Sequence, residues 1–349
     1  MSHPRFLLVL AGCLILANCA PPELVEVSQT RLAGSTMGTT YHIVISPAVT
    51  DAEQTRLQQE VDLRLEHLND LMSTYRPDSE LSRFNRRTEL DWFPVSSETA
   101  LVVARSLEIS TLSHGAFDAT VGPVVRLWNF GPDPGPDAIP PQTNVDQELA
   151  RVGYQRIEVR LEPPALRKER PDGELHLSAL AKGYAVDAVL EVVRPAVGSG
   201  CLVEIGGEIR TVGTKADGSP WKVAIERPTA GRRDLQETLR LTDAALATSG
   251  DYRNFVEIAG VRYSHTIDPI TGRPVAHRLS SASVLANNCM DADALATALM
   301  VLGPEKGYDW AEKHGLAALL LVPAGDNFRE LVTPEWTRRV ATNELRVER

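Results

Sequence analysis

Asp293 and Thr297 lie four residues apart in DADALATALMVLG, a segment with the apolar spacing of a helix. At that spacing both side chains stand on one face, roughly opposite a stripe of leucine and alanine. A carboxylate and a hydroxyl are hard oxygen donors suited to Mg²⁺, which needs only one or two protein ligands beside phosphate oxygens. An aspartate near a helix N-terminus is also common on a solvated face. From this segment alone, the solvated face is the favoured interpretation.

A second candidate is His265, at the end of a predicted strand in SHTIDPITGRP. A histidine before a turn can act as a general base or bind a phosphate. More often such a histidine is structural and bonds to its own turn. The segment alone favours the structural role.

Two further segments place small residues beside a charge. In SHGAFDATVG, Phe117 can stack on a ring and Asp118 can accept from a heterocycle, or they are a core aromatic and a turn residue. In LSALAKGY, Lys182 near a helix start can meet a phosphate, or it is an exposed lysine. Both interpretations remain open at this point.

Met37 lies in a small-residue stretch, GSTMGTT, before the strand YHIVI. Glycine and threonine clusters are ordinary loop residues. Such a loop also lets a flat ligand approach the backbone while the thioether packs on it. The stretch predicts a loop and does not decide between these roles.

Several classes of function are disfavoured. The formal net charge of -10 argues against nucleic-acid binding, which depends on clustered lysine and arginine. The chain has no GxGxxG opening a helix after a strand and no GxxxxGK[ST], so common nucleotide-binding loops are not supported. It also lacks GxSxG, which weakens a hydrolase triad.

The elements that position these residues alternate between helices and hairpins. VTDAEQTRLQQEVDLRLEHLNDLMSTY has a helical stripe with Asp51 as its expected N-cap, and a second helix ends at Gly115. FGPDPGPDAIPPQTNVD is expected to be a surface loop, and Gly206-Gly207 a hairpin turn. Without a steady βαβ rhythm, the pattern predicts an α+β fold with mixed or antiparallel sheets and packed helices.

The N-terminus predicts export. Arg5 precedes the apolar run FLLVLAGCLILA, which is too short to span a membrane comfortably. The run resembles a lipoprotein signal peptide over 1–18, with lipidation at Cys19; Cys13 is the alternative and leaves a shorter apolar region. We then expect a tether over 19–30, a catalytic domain over 31–335 and a C-terminal tail over 336–349.

Export makes the remaining cysteines informative. Cys201 and Cys289 would be the only two left in the mature chain, as a disulfide or as two buried thiols. The chain has no CxxC pair or Cys/His cluster, so a structural zinc site is not expected.

Taken in order, the segments resemble a known family. They are GSTMGTTY, MSTYRPDSELSRFN, GAFDATVGPVVRLWNFG, LSALAKGYAVD, EIGGEI, SGDYRNF, SHTIDPITGRP and DADALATAL. This order, over about Arg31 to Pro334, resembles the FAD:protein FMN transferases of the ApbE family. The resemblance implies that the protein binds FAD with Mg²⁺ and transfers FMN to a threonine or serine hydroxyl of a partner, releasing AMP.

The resemblance also implies roles for particular residues. Positions matching contacts to FAD are Met37, Tyr75, Ala116, Phe117, Asp118, His176, Lys182 and His265. Positions matching ligands of the metal are Ala179, through its carbonyl, Asp293 and Thr297. His265 and Asp293 are the expected catalytic residues. The resemblance therefore reverses the solvated-face interpretation of Asp293.

His176 departs from the family pattern, which usually has an aspartate there. An imidazole cannot replace a carboxylate acceptor, so we expect that contact to be lost while FAD still binds.

The resemblance places the protein at the periplasmic face of the cell membrane, with the inner membrane favoured. The implied acceptors are redox proteins such as subunits of membrane NADH:quinone reductase-type complexes. Two alternatives stay open: a Mg²⁺-dependent FAD pyrophosphatase, in which water replaces the hydroxyl, and a non-catalytic exported FAD-binding protein.

Overall fold

This computed structural model describes residues 28–131, 138–229, 234–251, 255–258, 260–341 and 347–348. They form helices and antiparallel strands joined by turns and loops. The helices are α1 (Asp51–Met72), α2 (Glu80–Arg86), α3 (Ser97–Leu112), α4 (Gly122–Leu127), α5 (Gln142–Leu149), α6 (Ser178–Val193), α7 (Cys289–Leu302), α8 (Pro304–Lys313) and α9 (Pro334–Ala341). Short 3₁₀ turns cover Tyr154–Arg156 and Arg194–Ala196.

The strands follow in chain order. They are β1 (Thr30–Thr36), β2 (Thr39–Ser46), β3 (Phe93–Pro94), β4 (Ile157–Leu161), β5 (Pro164–Lys168), β6 (Gly200–Ile205), β7 (Glu208–Gly213), β8 (Trp221–Glu226), β9 (Leu235–Leu241), β10 (Ala245–Gly250), β11 (Phe255–Ile258), β12 (Val261–Ser264), β13 (Ile267–Asp268), β14 (Arg273–Pro274), β15 (Ser281–Ala286), β16 (Ala317–Ala324), β17 (Asn327–Val332) and β18 (Val347–Glu348).

One eight-stranded sheet carries the fold, in the order β1-β2-β6-β7-β10-β15-β16-β17, and its neighbouring strands pair antiparallel. Smaller sheets join β18-β9-β8 and β3-β5-β4, and two hairpins join β11-β12 and β13-β14. The architecture confirms the predicted α+β class.

The large sheet is covered on both faces. Along β16, Ala318 and Leu320 face the main core beneath α1, α6 and α7, whereas Leu319 and Leu321 face a second core with β8 and β9. Side chains of a strand alternate between faces, so a continuous apolar run marks a strand buried on both. This burial explains why AALLLV lacks polar alternation.

The stripe predicted for α1 is buried: Leu57, Val61, Leu65, Leu68, Leu71 and Met72. Its N-cap, however, is Thr50 rather than Asp51, because the Thr50 hydroxyl accepts the Glu53 N–H at 3.3 Å. Asp51 is instead the first residue of the helix, where its charge favours the helix dipole.

The predicted loop at Met37 is a tight hairpin turn. Strand β1 continues to Thr36 and pairs with Thr39, so only Met37 and Gly38 lie between the strands. Both have positive φ, 49° and 73°, as a two-residue type I′ turn requires. The predicted Gly206-Gly207 hairpin also forms, between β6 and β7.

Two other expectations differ from the structure. The expected Pro/Gly surface loop ends in α5, where Val145 is fully buried; residues 132–137 of it lie outside the described ranges. The expected tail over 336–349 begins inside α9, whose Trp336 is 2% exposed in the second core. Because this large aromatic is buried, α9 packs as part of the folded domain and not as a tail.

Residues 1–27, which contain Cys13 and Cys19, lie outside the described ranges. Among the helices of the part that is described, none is long and apolar enough to cross a membrane. Cys201 and Cys289 are buried free thiols, so the disulfide alternative is not realised within those ranges.

Candidate active site between two crossing helices

Helices α6 and α7 approach each other closely at Gly183. A Cβ on Gly183 would lie 2.3 Å from the carbonyl oxygen of Cys289, so only glycine permits this approach. The Asp187 carboxylate of α6 accepts the N–H groups of Cys289 and Met290 at 2.9 to 3.0 Å, and Asn288 caps the helix. These contacts fix the first turn of α7 against α6.

Asp293 lies one turn further along α7 and is only 2% exposed. Its Oδ2 accepts the Gly183 N–H at 3.0 Å, and its Oδ1 lies 3.8 Å from Nζ of Lys182. Burial raises the pKa of Asp293, and the Lys182 ammonium opposes that shift. The solvated-face interpretation is therefore wrong, because α6 covers the side of α7 that the sheet leaves open.

Lys182 bridges this aspartate to a second buried carboxylate. Its Nζ donates to Oε1 of Glu208, the first residue of β7, which is 4% exposed. Burial raises the pKa of Glu208 to about 7, against the opposing effect of Lys182. Burial alone would lower the pKa of Lys182, but Asp293 and Glu208 together raise it above its usual range. The lysine is thus held charged between two carboxylates.

The other two expected metal ligands are Ala179, one turn before Gly183 in α6, and Thr297, one turn after Asp293 in α7. Asp187 contacts the first residues of α7, whereas Lys182 lies beside Asp293, so the helices run antiparallel. Continuing this register brings Ala179 of α6 level with Thr297 of α7. By this register, the four positions Ala179, Lys182, Asp293 and Thr297 are expected in facing turns of the two helices.

The backbone at this crossing supports a metal role for Ala179. In a helix, the Gly183 N–H donates to the carbonyl of Ala179, four residues earlier. The same N–H also donates to Asp293, and the Ala179 oxygen has two lone pairs, so it has acceptor capacity beyond the helix bond. Oγ1 of Thr297 lies 3.3 Å from Oγ of Ser249, near the end of β10.

A carbonyl, a carboxylate and a hydroxyl form an all-oxygen donor set that fits Mg²⁺ better than zinc. Within the described ranges, no three His, Cys, Asp or Glu side chains are placed to hold a metal ion together. A site with a single carboxylate does not require such a group. The residues present therefore fit the implied metal.

Both hairpin turns lie at the same end of the sheet as this cluster. The N–H of Gly206 donates to the Thr40 carbonyl at 3.1 Å, so the Gly206-Gly207 turn stands beside the start of β2. Met37, in the neighbouring turn, is half-buried and packs against the main core. Its thioether thus lies at the end of the sheet where Glu208 begins β7.

The GAFD residues are buried. Ala116 and Phe117 are 4% and 2% exposed, and Phe117 packs in the main core. Asp118 accepts the N–H and hydroxyl of Thr120 at 2.7 and 2.6 Å and the Tyr154 N–H at 3.0 Å. Burial raises the pKa of Asp118 and these hydrogen bonds oppose the shift. The contacts support the turn role of this carboxylate.

His176 joins the GAFD segment to the start of α6. The backbone N–H of His176 donates to the Ala119 carbonyl at 2.6 Å, and Nε2 of its ring lies 3.2 Å from Oγ of Ser178. Burial, with Arg126 nearby, lowers its pKa to about 4, so the imidazole is neutral at pH 7.

The remaining predicted residues are His265 and Tyr75. His265 is half-buried, and its ring makes an edge contact with Phe130 at 6.3 Å between centroids. Tyr75, between α1 and α2, is 64% exposed. The structure therefore places Lys182 beside Asp293, with His265 between β12 and β13 and Tyr75 between α1 and α2.

Residue-by-residue prediction missed Glu208, Asp187 and Ser249. Glu208 had one visible signal: it is a charged residue directly after Gly-Gly, at the start of a predicted strand. Asp187 lies within a predicted helix and Ser249 within a predicted strand, where neither residue type is unusual. Only the folded chain reveals their partners.

Comparison with known proteins identifies the family of this chain. The model of the ApbE family matches residues 37–320. The chain belongs to the ApbE family. It is 45% identical to the FAD:protein FMN transferase of Vibrio cholerae over 93% of this chain and 96% of that protein, and 37% identical to that of Escherichia coli K12 over 94% and 95%.

Solved structures show the same likeness. The flavin transferase ApbE from Vibrio cholerae is 43% identical, with a TM-score of 0.81 over 89% of this chain and 99% of that chain. The apo flavinyl transferase ApbE of Pseudomonas stutzeri is 37% identical, with a TM-score of 0.80 over 90% and 98%.

Proposed function

We propose that this protein is a Mg²⁺-dependent FAD:protein FMN transferase. It moves the FMN part of FAD to a threonine or serine hydroxyl of a partner protein and releases AMP. The observation that carries the proposal is the pair of half-buried Lys182 and buried Asp293 at the α6–α7 crossing, in a chain of the ApbE family.

Asp293, Thr297 and the Ala179 carbonyl are the residues that would hold Mg²⁺. When bound, the metal supplies positive charge against the diphosphate of FAD. Lys182 adds a second cation, which the two neighbouring carboxylates keep charged. Neutralising the diphosphate is the main task in phosphoryl transfer, because its charge repels an incoming oxygen nucleophile.

The transfer replaces one bond at phosphorus by another. The hydroxyl oxygen of the acceptor bonds to the FMN phosphorus, the bond from that phosphorus to the bridging oxygen breaks, and AMP leaves with the electron pair. We assign the hydroxyl proton to the imidazole of His265, a side chain able to accept it near neutral pH.

The flavin is assigned to the end of the sheet that carries the hairpin turns. The half-buried thioether of Met37 supplies a polarizable surface for the ring system. The buried GAFD segment supplies shape, since its carboxylate is already bonded within the protein.

We further propose that the protein is exported and anchored through a lipid on Cys19, at the periplasmic face of the inner membrane. The apolar run before this cysteine supports the proposal. The acceptors would then be subunits of membrane redox complexes of the NADH:quinone reductase type.

The experiment combines the purified protein, FAD and Mg²⁺ with an acceptor domain that carries a flavinylation threonine. Mass spectrometry should find an FMN-sized adduct on that threonine, with AMP released in equal amount. An acceptor with the threonine replaced by valine is the matched control. Release of AMP and FMN without any adduct would instead identify a pyrophosphatase, and FAD binding without turnover a carrier.

A further inference from the structure

Glu208 is a buried carboxylate whose role in the proposed function is so far limited to keeping Lys182 charged. It follows the Gly206-Gly207 turn directly, and Lys182 is its charged partner. Its other oxygen, Oε2, is buried and has no hydrogen-bond partner among the residues that the structure describes. A buried carboxylate with one unmatched oxygen lowers the stability of the folded state. Support of the fold therefore does not account for Glu208.

Lys182 lies between two carboxylates but bonds to only one of them. It donates to Glu208, whereas its Nζ is 3.8 Å from Oδ1 of Asp293, beyond hydrogen-bond distance. The other oxygen of Asp293 accepts the Gly183 N–H. Oδ1 is thus the oxygen that Asp293 offers to a ligand, and the ammonium stands next to it without bonding.

We propose that Glu208 is a positioning residue that holds the Lys182 ammonium off Oδ1 of Asp293 and so keeps this oxygen available to a divalent cation. The inference rests on the metal site of the proposed function. An ammonium and a metal ion compete for the same carboxylate oxygen. Without the charge of Glu208, Asp293 becomes the nearest carboxylate to Lys182, and Coulomb attraction draws Nζ onto Oδ1.

Glu208→Gln tests this role, because it keeps the size of the side chain and removes its charge. Mn²⁺ is the probe, since it favours the same oxygen ligands as Mg²⁺, and its free form is followed by electron paramagnetic resonance. Titrations are made with and without FAD. We expect Mn²⁺ to bind about tenfold more weakly to the variant, within the range of coupling in one ion-pair network.

A crystal structure of the metal-free Glu208→Gln variant separates this role from a general loss of negative charge. A general loss would weaken metal binding without moving Lys182. The distance from Nζ of Lys182 to Oδ1 of Asp293 should shorten from 3.8 Å to about 2.8 Å, a charge-assisted hydrogen bond. A lysine that stays beyond hydrogen-bond distance overturns the proposal, even if the metal binds more weakly.

Glu204→Gln is the matched control. Glu204 lies in the same hairpin, with Oε2 2.8 Å from Nδ1 of His42 and Oε1 accepting the Gly207 N–H at 2.7 Å. Glutamine can still accept that N–H, so the replacement removes a carboxylate charge from the hairpin at a residue other than the partner of Lys182. It should leave Mn²⁺ affinity unchanged. Lys182→Met is the second variant and does not depend on the folding of Glu208→Gln. It should bind Mn²⁺ as tightly as the wild-type protein or more tightly; weaker binding contradicts the proposal.

The two proposals fail in different ways. If the wild-type protein binds no Mn²⁺ even with FAD, the metal site of the proposed function is wrong, and this inference falls with it. If the wild-type protein binds Mn²⁺ and Glu208→Gln binds it equally well, only the role of Glu208 is wrong.

Discussion

The N–H of Gly183 donates to Oδ2 of Asp293 at 3.0 Å, joining the middle of one helix to the side chain of another. The absence of a side chain on Gly183 allows the approach, and the buried carboxylate satisfies the N–H at the point of contact. One contact thus couples the packing of α6 on α7 to the orientation of a proposed metal ligand.

Asp293→Asn should abolish most FMN transfer and leave the fold intact. The amide oxygen can still accept the Gly183 N–H, but the charge is lost, which at electrostatic sites costs about a hundredfold to a thousandfold in rate. Asp293→Ala is less informative, because the residue is 2% exposed and its removal leaves a buried N–H unpaired, at a cost of about 1–3 kcal/mol.

FMN transfer, Mg²⁺ dependence and melting temperature should be measured on Asp293→Asn, Thr297→Val and the wild-type protein. Thr297→Val should have the milder effect, because water can replace a neutral hydroxyl ligand. Wild-type transfer by Asp293→Asn would contradict the metal assignment.

Gly183→Ala should lower both stability and activity. The added Cβ would lie 2.3 Å from a backbone carbonyl oxygen that cannot rotate away, so the two helices must separate. Overpacking of this kind costs about 1–3 kcal/mol or more. Gly307→Ala in α8 is the control, since its Cβ would lie 3.3 Å from the nearest atom. Equal urea-unfolding midpoints for the two variants would disprove the close-contact explanation.

Met37→Asn should separate the turn from the ligand site. Asparagine tolerates the positive φ of 49° and suits a type I′ turn, so the hairpin should remain stable. FAD should bind about two- to tenfold more weakly, the range expected for loss of a sulfur–aromatic contact. Calorimetry with FAD and a melting curve test both parts. Unchanged FAD affinity would remove Met37 from the flavin site.

His176 should make the protein less stable in mild acid. The pKa of His176 is about 4 in the folded protein, against the ordinary 6.5. Below pH 6.5 the imidazole is therefore protonated in the unfolded chain but still neutral in the folded protein. The loss of stability begins as the pH falls below 6.5, reaches about 2 kcal/mol at pH 5 and is complete below 4. In His176→Asn this contribution should vanish. Urea unfolding at pH 7 and pH 5 measures it; the same pH dependence in both proteins would contradict the burial effect.

The sequence predicted local structure well where periodicity carries the information. The α1 stripe and the Gly206-Gly207 hairpin both depend on neighbours in the chain, and both form. The solvated face that the helix pattern alone favoured for Asp293 is wrong, because a helical stripe identifies one packed face but not a second helix on the opposite face. That second contact depends on Gly183, more than a hundred residues away, whose significance only the crossing reveals.

The site itself was predictable in part and for a different reason. No spacing rule connects Ala179 with Asp293; the family resemblance did so, and the register of α6 against α7 agrees with it. Glu208 stayed unassigned because its partner, Lys182, lies 26 residues earlier on a different element, and no local pattern connects the two.

The edge strand β1 has a consequence for orientation. It runs from Thr30 to the Met37–Gly38 turn, seven residues that span about 20 Å in extended form. Residues 28 and 29, which precede this strand, therefore lie at the end of the sheet opposite the candidate site. Under the proposed lipid anchor on Cys19, the tether would join the described domain at that end, about one strand length from the proposed reaction centre.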